Sequence, residues 1–144
     1  MEIYCQVTQQ GLVPMYDSDY EEKKKLKQGE KVLVTIKRPR NYENHKRFFA
    51  LLRLVVQNLP EQMARAMSIY SEEDLLNCIK LDLGMFTTHW HEGRELLKVK
   101  SISFASMDES EFSNFFTETI NLITNHYLLG MDKETLLEEI DNFR

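Results

Sequence analysis

Ile3, Cys5 and Val7 alternate with Tyr4, Gln6 and Thr8, and Gly11 divides this run from Leu12-Val13-Pro14-Met15, so the chain is predicted to open as a strand pair. Pro14 suits an edge, because it has no N–H to give to a neighbouring strand. A short helix is expected next: Asp17-Ser18-Asp19 offers an N-cap, Glu21 and Glu22 suit its positive end, Lys23 to Lys27 its negative end, and Gly29 stops it. Alternation returns from Lys31 to Lys37, with Val32, Val34 and Ile36 on one face and Leu33, Thr35 and Lys37 on the other, the pattern of a strand with one buried face. Arg38-Pro39-Arg40-Asn41 ends it, since proline lacks the donor and keeps Arg38 extended.

From Asn41 the period becomes helical. At about 100° per residue, Phe48, Phe49, Leu51, Leu52, Val55 and Val56 fall on one arc and Lys46, Ala50, Arg53 and Gln57 opposite, which predicts an amphipathic helix to about Asn58 that packs on the sheet. Arg47 sits at the boundary beside Leu54, where its stem can cover apolar surface, and His45 falls on the apolar side. Asn58-Leu59-Pro60 is a break. Glu61 to Tyr70 reads as a short helix with Met63, Ala66 and Met67 inward, and a second starts at Ser71 with Leu75, Leu76 and Ile79 as its core face. Met85 to Trp90 looks extended, Glu92-Gly93-Arg94 looks like a turn, and the return runs through Leu96 to Met107 with a bulge near Lys100, because Leu97 and Val99 are out of phase with Ile102 and Phe104.

Met107-Asp108-Glu109-Ser110-Glu111-Phe112 is the clearest local signature. Asp108 can cap the free N–H groups, Glu111 can reciprocate, and Met107 with Phe112 has the spacing of a hydrophobic staple. The helix this begins carries Phe112, Phe115, Phe116, Ile120, Ile123 and Tyr127 and is expected to run to Gly130. Asp132 opens a last one with Leu136, Leu137, Ile140 and Phe143 inward. The fold class is α+β: two strand pairs packed against several amphipathic helices, with a helical C-terminus.

The 144 residues, 42% apolar and 28% charged, suit a single domain over 1–144. No apolar run approaches the ~20 residues of a membrane span. Met1-Glu2-Ile3-Tyr4 resembles no secretory leader, and Cys5 and Cys78 are too few for a disulfide framework, so the expected setting is a reducing cytoplasm without membrane contact.

Charge changes this picture more than composition does. The formal net charge is −5, which argues against a nucleic-acid partner, yet it is unevenly spread. Between Glu21 and Arg53 eleven Lys or Arg face four Glu, a balance of +7, whereas from Asp108 to Arg144 nine acids face two bases, a balance of −7. Such a molecule can offer one face to an anion while the other repels it, or lie against a second copy of itself; two solvated faces are the plain alternative.

The usual catalytic signatures are missing: no glycine-rich phosphate loop, G-x-S-x-G elbow or H-E-x-x-H pair. His89 and His91 would share one face of a strand, but two nitrogens do not make a metal site and neither cysteine belongs to a C-x-x-C pair. Cys78, beside a core face, reads as a buried inert thiol. No cofactor, metal or catalytic residue is therefore assigned. Trp90 is open between a core ring and an exposed stacking platform.

Val34-Thr35-Ile36-Lys37-Arg38-Pro39-Arg40-Asn41-Tyr42-Glu43-Asn44-His45-Lys46-Arg47-Phe48-Phe49-Ala50-Leu51-Leu52, with Ser101-Ile102-Ser103-Phe104-Ala105-Ser106-Met107-Asp108-Glu109-Ser110-Glu111-Phe112 and the Gly11-Leu12-Val13-Pro14 hairpin, resembles an uncharacterised family of bacteriophage proteins. More distantly, Ile36 to Leu52 is similar to the start of the lambda Orf (NinB) recombination proteins. That likeness implies an α+β homodimer that binds single-stranded DNA, acts as a recombination mediator, and works beside host single-strand-binding protein or recombinase-loading proteins.

The residues offer a matching surface. Arg38 and Arg40 flank a stiffened turn that leads into a helix N-terminus, where free N–H groups favour a phosphate. Lys37, Arg38, Arg40, Asn41, Tyr42, Lys46, Arg47 and Arg53 are the expected DNA contacts, with Tyr42 the base-stacking ring. The alternative is that Asn41 merely caps the helix and the charges are solvated. Two other functions stay open: a protein–protein inhibitor or adaptor using the acidic surface against a host DNA-processing protein, and a metal-dependent structure-selective nuclease. A C-terminal helix carrying Glu138, Glu139 and Asp141 is expected either to lie apart from the basic helix or to gate it by competing for Lys46 and Arg47.

Overall fold

In the computed structural model, which describes residues 1–143, the chain divides into two compact units, Met1–Ile36 and the chain from Lys37 onward. The side chain of Phe143 and all of Arg144 lie outside the described residues.

The first unit opens with the expected hairpin. β1 (Cys5–Thr8) pairs antiparallel with β2 (Gly11–Pro14), Cys5 opposite Pro14 and Thr8 opposite Gly11. α1 (Asp17–Lys24) follows directly. Asp19 ties the two together, one carboxylate oxygen accepting the Tyr4 N–H at 2.9 Å and the other the Tyr16 N–H at 3.1 Å, so a buried charge is spent on backbone donors. The helix ends before Gly29: Lys25 and Leu26 already donate to carbonyls three residues back, and no apolar stripe holds another turn. Lys24 pairs with Glu21 and Lys25 with Glu22, which neutralises part of the local positive excess.

Lys31 to Lys37 corrects the sequence reading. The alternation is that of a strand, but the segment has no secondary structure and none of its residues makes a backbone hydrogen bond among the described residues. A strand exists only with a partner, and this one meets none among the described residues.

The second unit holds the core, and helices build it. α2 (Tyr42–Asn58), α3 (Glu61–Met67), α4 (Glu72–Asp82), α5 (Glu109–Leu122) and α6 (Lys133–Phe143) surround Phe48, Leu51, Leu52, Val55, Leu75, Ile79, Phe112, Ile123, Leu136 and Ile140, all fully buried. α2 lies against α4 and α6 and meets α5 through Phe48, whose ring is 5.4 Å from Phe112, 5.3 Å from Phe115 and 5.4 Å from Phe116. It therefore packs on helices and not on a sheet, and because neighbours cover more than one face, Ala50 is buried where a single-stripe reading left it in solvent. In α3 only Met63 packs on the core; Ala66 and Met67 are exposed, and the inward residue is Ile69 just beyond the helix.

β3 (Phe86–His91) and β4 (Arg94–Val99) form the second antiparallel pair, with Phe86 opposite Val99 and His91 opposite Arg94. Glu92 and Gly93 take φ of 50° and 74°, the left-handed values that a tight two-residue hairpin turn needs. β4 stops at Val99; the phase change read as a bulge is the end of the strand, after which the chain dives so that Ile102 enters the core. Trp90, open in the sequence, is 72% exposed. α5 starts as expected, Asp108 accepting from Glu111 N–H and Glu111 from Asp108 N–H, both at 2.9 Å. It does not continue to Gly130 as an α-helix: Ile123–Tyr127 is a π-helical turn, closed by Leu128 N–H donating to Ile123 C=O at 2.8 Å. The wider turn lets Leu128 join Tyr127 inside. The architecture is α+β, six α-helices and two small antiparallel strand pairs among the described residues, with a helical C-terminus.

Candidate nucleic-acid interface

The sequence places a turn rich in arginine at the start of α2, and the structure shows what each residue does there. Asn41 caps the helix, its side-chain oxygen accepting from Glu43 N–H at 2.9 Å and Asn44 N–H at 3.4 Å. Glu109, the first residue of α5, reaches across and accepts from Asn41 N–H at 2.6 Å, from the Asn44 amide at 2.7 Å and from the Ser113 hydroxyl at 3.2 Å. Its own N–H donates to the Arg38 carbonyl at 3.0 Å. The anion that the sequence suggested for this helix end is thus one of the protein's own carboxylates. Burial pushes the Glu109 carboxyl up, but its hydrogen bonds and the Arg40 charge prevail and hold it below the usual range.

Arg40 corrects the expected contact set. Its side chain is only 2% exposed. The guanidinium donates to the Ile102 carbonyl at 2.7 Å and more weakly to Met107 C=O at 3.4 Å, meets His45 Nδ1 at 3.1 Å, and lies 3.6 Å from the centre of the Phe112 ring. Arg40 Nε is 3.9 Å from Glu109. This is a rivet between the start of α2 and the chain leading into α5, and its burial, with Nε itself left without a hydrogen-bond partner, keeps it from a phosphate in solvent.

His45 stands in the same cluster, its ring 4.9 Å from Phe49 and 5.0 Å from Phe104. Burial, then the Arg40 charge, lower its pKa from 6.5, because a proton on Nδ1 would face a guanidinium. The unfolded chain then binds a proton that the folded one refuses, so the contribution is complete above pH 6.5 and is lost as pH falls from there toward the lowered folded value. A urea midpoint measured at pH 7.5 and 5.5 should drop at the lower pH, and His45→Gln should remove most of that difference.

The remaining candidates divide by partner. Arg47 Nε donates to Asp141 on α6 at 3.1 Å, and Arg53 Nε to Glu72 on α4 at 2.9 Å, so both are engaged. α6 therefore lies against the basic helix, with one of its carboxylates on one of the expected DNA contacts. Lys37 and Arg38 are exposed without side-chain partners among the described residues. Lys46 Nζ sits 4.6 Å over the Tyr42 ring and 3.5 Å from Glu43. Tyr42 is 59% exposed and meets Phe104, 49% exposed, edge to face at 6.5 Å. Phe104 was missed by sequence reasoning, which treated it as a strand residue; its signal was an aromatic ring in a serine-rich stretch. The surface set is Lys37, Arg38, Tyr42 and Lys46, joined by Phe104.

Elsewhere, burial first and the nearby Asp82 and Asp74 second raise the Cys78 thiol, which makes it a poor nucleophile. Burial and a 2.7 Å hydrogen bond to Asp82 keep Tyr127 protonated well above the usual phenol range. Among the described residues no group of three or more His, Cys, Asp or Glu could hold a metal ion, and no helix is long and apolar enough to cross a membrane.

Comparison with known proteins gives a family match over residues 3–59, less than half of the chain, to a family described as a protein of unknown function (DUF1367). That stretch covers the first hairpin, α1 and the whole of α2 with its Asn41 cap, and the likeness is to an uncharacterised domain family. No curated protein and no solved structure matches the chain.

Proposed function

We propose that the protein binds single-stranded DNA without sequence preference, as a phage-type recombination accessory protein acting beside host single-strand-binding or recombinase-loading proteins. The observation that carries this reading is the exposed Tyr42–Phe104 pair with Lys46 over the tyrosine and Lys37 and Arg38 unpaired in the sequence just before it. Single strands are held by rings on which bases stack, set beside cations that follow the backbone, and stacking tolerates any base. The resemblance of Ile36 to Leu52 to the Orf proteins supports the recombination setting.

Fluorescence anisotropy with a labelled oligonucleotide tests it. Each stacked base contributes about 1–3 kcal/mol, so Tyr42→Ala with Phe104→Ala should weaken binding roughly tenfold or more, and Tyr42→Ala alone, which leaves the Phe104 ring against His45, should weaken it while the thermal midpoint holds. About −0.7 per neutralised phosphate predicts a log–log salt slope near −2 for Lys37, Arg38 and Lys46 together. No binding at low salt, or binding unchanged in the double variant, ends this reading.

A further inference from the structure

The stretch from Glu30 to Arg38 is anchored only at its ends. Glu30 N–H donates to Lys27 C=O, the Arg38 carbonyl accepts from Glu109, and no backbone group of residues 31 to 37 has a protein partner among the described residues. Val32, Val34 and Ile36 are exposed, and Leu33 is 98% exposed. A run with strong strand preference, both edges open and its aliphatic face in water is what proteins avoid unless another strand covers it.

The sequence of the run says which strand fits. In an antiparallel pair, residues directly opposite share a face. Place a two-fold axis at Val34, and the even positions Glu30, Val32, Val34, Ile36 and Arg38 meet Arg38, Ile36, Val34, Val32 and Glu30 of a second copy. A carboxylate then faces a guanidinium at each end of a β-branched ladder. Glu30 accepts from Lys27 N–H through one oxygen only, and Arg38 has no other side-chain partner, so both can pair. Gly29 and Pro39 fall opposite each other at the limits, where proline has no donor to lose. An axis at Leu33 sets Glu30 against Ile36, and one at Thr35 sets Val32 against Arg38; only Val34 matches charge to charge and aliphatic to aliphatic. On the other face Lys31 lies opposite Lys37, which opposes the pairing.

We propose that residues 30–38 pair antiparallel with the same segment of a second copy, with the two-fold axis at Val34, forming a two-stranded seam between protomers. A seam of this length is small, so the dimer is expected to be weak, with a dissociation constant in the micromolar range.

Sedimentation equilibrium on the full chain, run to a few hundred micromolar, reads it. Glu30→Arg alone and Arg38→Glu alone should each weaken dimerisation about tenfold or more, and the two together should restore it, an outcome that misfolding cannot produce. In a Cys5→Ser, Cys78→Ser background, Val34→Cys should cross-link to itself, whereas Val32→Cys should cross-link efficiently only when mixed with Ile36→Cys. A monomer throughout, single charge variants that dimerise like the parent, or self-cross-linking at position 32 as strong as at 34 would overturn the proposal. These readouts involve no DNA, so this inference and the proposed function can fail separately; Arg38 is taken by Glu30 of the second copy in the dimer and open to a phosphate in the monomer.

Discussion

Replacing Arg40 by alanine is expected to lower the unfolding free energy by roughly 3–5 kcal/mol, the scale seen when one partner of a buried charged cluster is removed. The change leaves the Ile102 carbonyl without its 2.7 Å donor and exposes the Phe112 face on which the guanidinium stacks. Each orphaned buried polar group costs about 1–3 kcal/mol. Arg40→Lys keeps a charge but has one ammonium where a planar fork reaches two carbonyls and an imidazole, so it should recover only part of the loss. Urea denaturation of the three proteins is the measurement. If Arg40 were a solvated DNA contact, its removal would shift stability by no more than about 0.5 kcal/mol. That result would return Arg40 to the surface set.

The second large effect belongs to Phe48. Its side chain is fully buried, and its ring touches those of Phe112, Phe115 and Phe116 on α5 and Phe49 beside it on α2. Phe48→Ala should cost about 3–5 kcal/mol, transfer free energy plus a cavity that four rigid rings cannot collapse to fill. Phe48→Leu should cost less, since it fills part of the space. Domains are commonly stable by only 5–15 kcal/mol, so the alanine variant is expected to unfold near ordinary working temperatures. A thermal melt followed by circular dichroism checks this, and a melt close to that of the parent would show that the aromatic cluster is not the centre of the core.

Helix beginnings were the most legible part of the sequence. Ser71, Asp108 and Asp132 each accept from an N–H three residues on, because a cap is a local bond encoded by neighbouring residues. The apolar stripes of α4 and α5 were equally readable, since burial repeats every turn. What failed was whatever needed a distant partner. The Lys31 to Lys37 pattern is a strand in every local respect and lacks only something to pair with. Arg40 looked like a phosphate ligand because nothing near it in sequence reveals that Ile102, Met107 and Glu109 wait more than sixty residues away. Of the expected contacts, Lys37, Arg38, Tyr42 and Lys46 are exposed. Arg47 and Arg53 were misjudged in degree, as the acids that hold them come from other helices.

The π turn at Ile123–Tyr127 carries a consequence for the far end of the chain. It holds one residue more than an α-helical turn would, and the Thr124 hydroxyl bonds to the carbonyls of Ile120 and Asn121 where the ladder widens. An extra residue advances everything after it by about 100° around the axis. That shift is what turns Tyr127 and Leu128 into the core, and the chain then leaves the helix at once, Leu128 at φ −122° and Gly130 at φ 92°. One surplus residue thus converts the end of an amphipathic helix into an anchor, so that the link to α6 starts from a point fixed in the core and not from a fraying helix end.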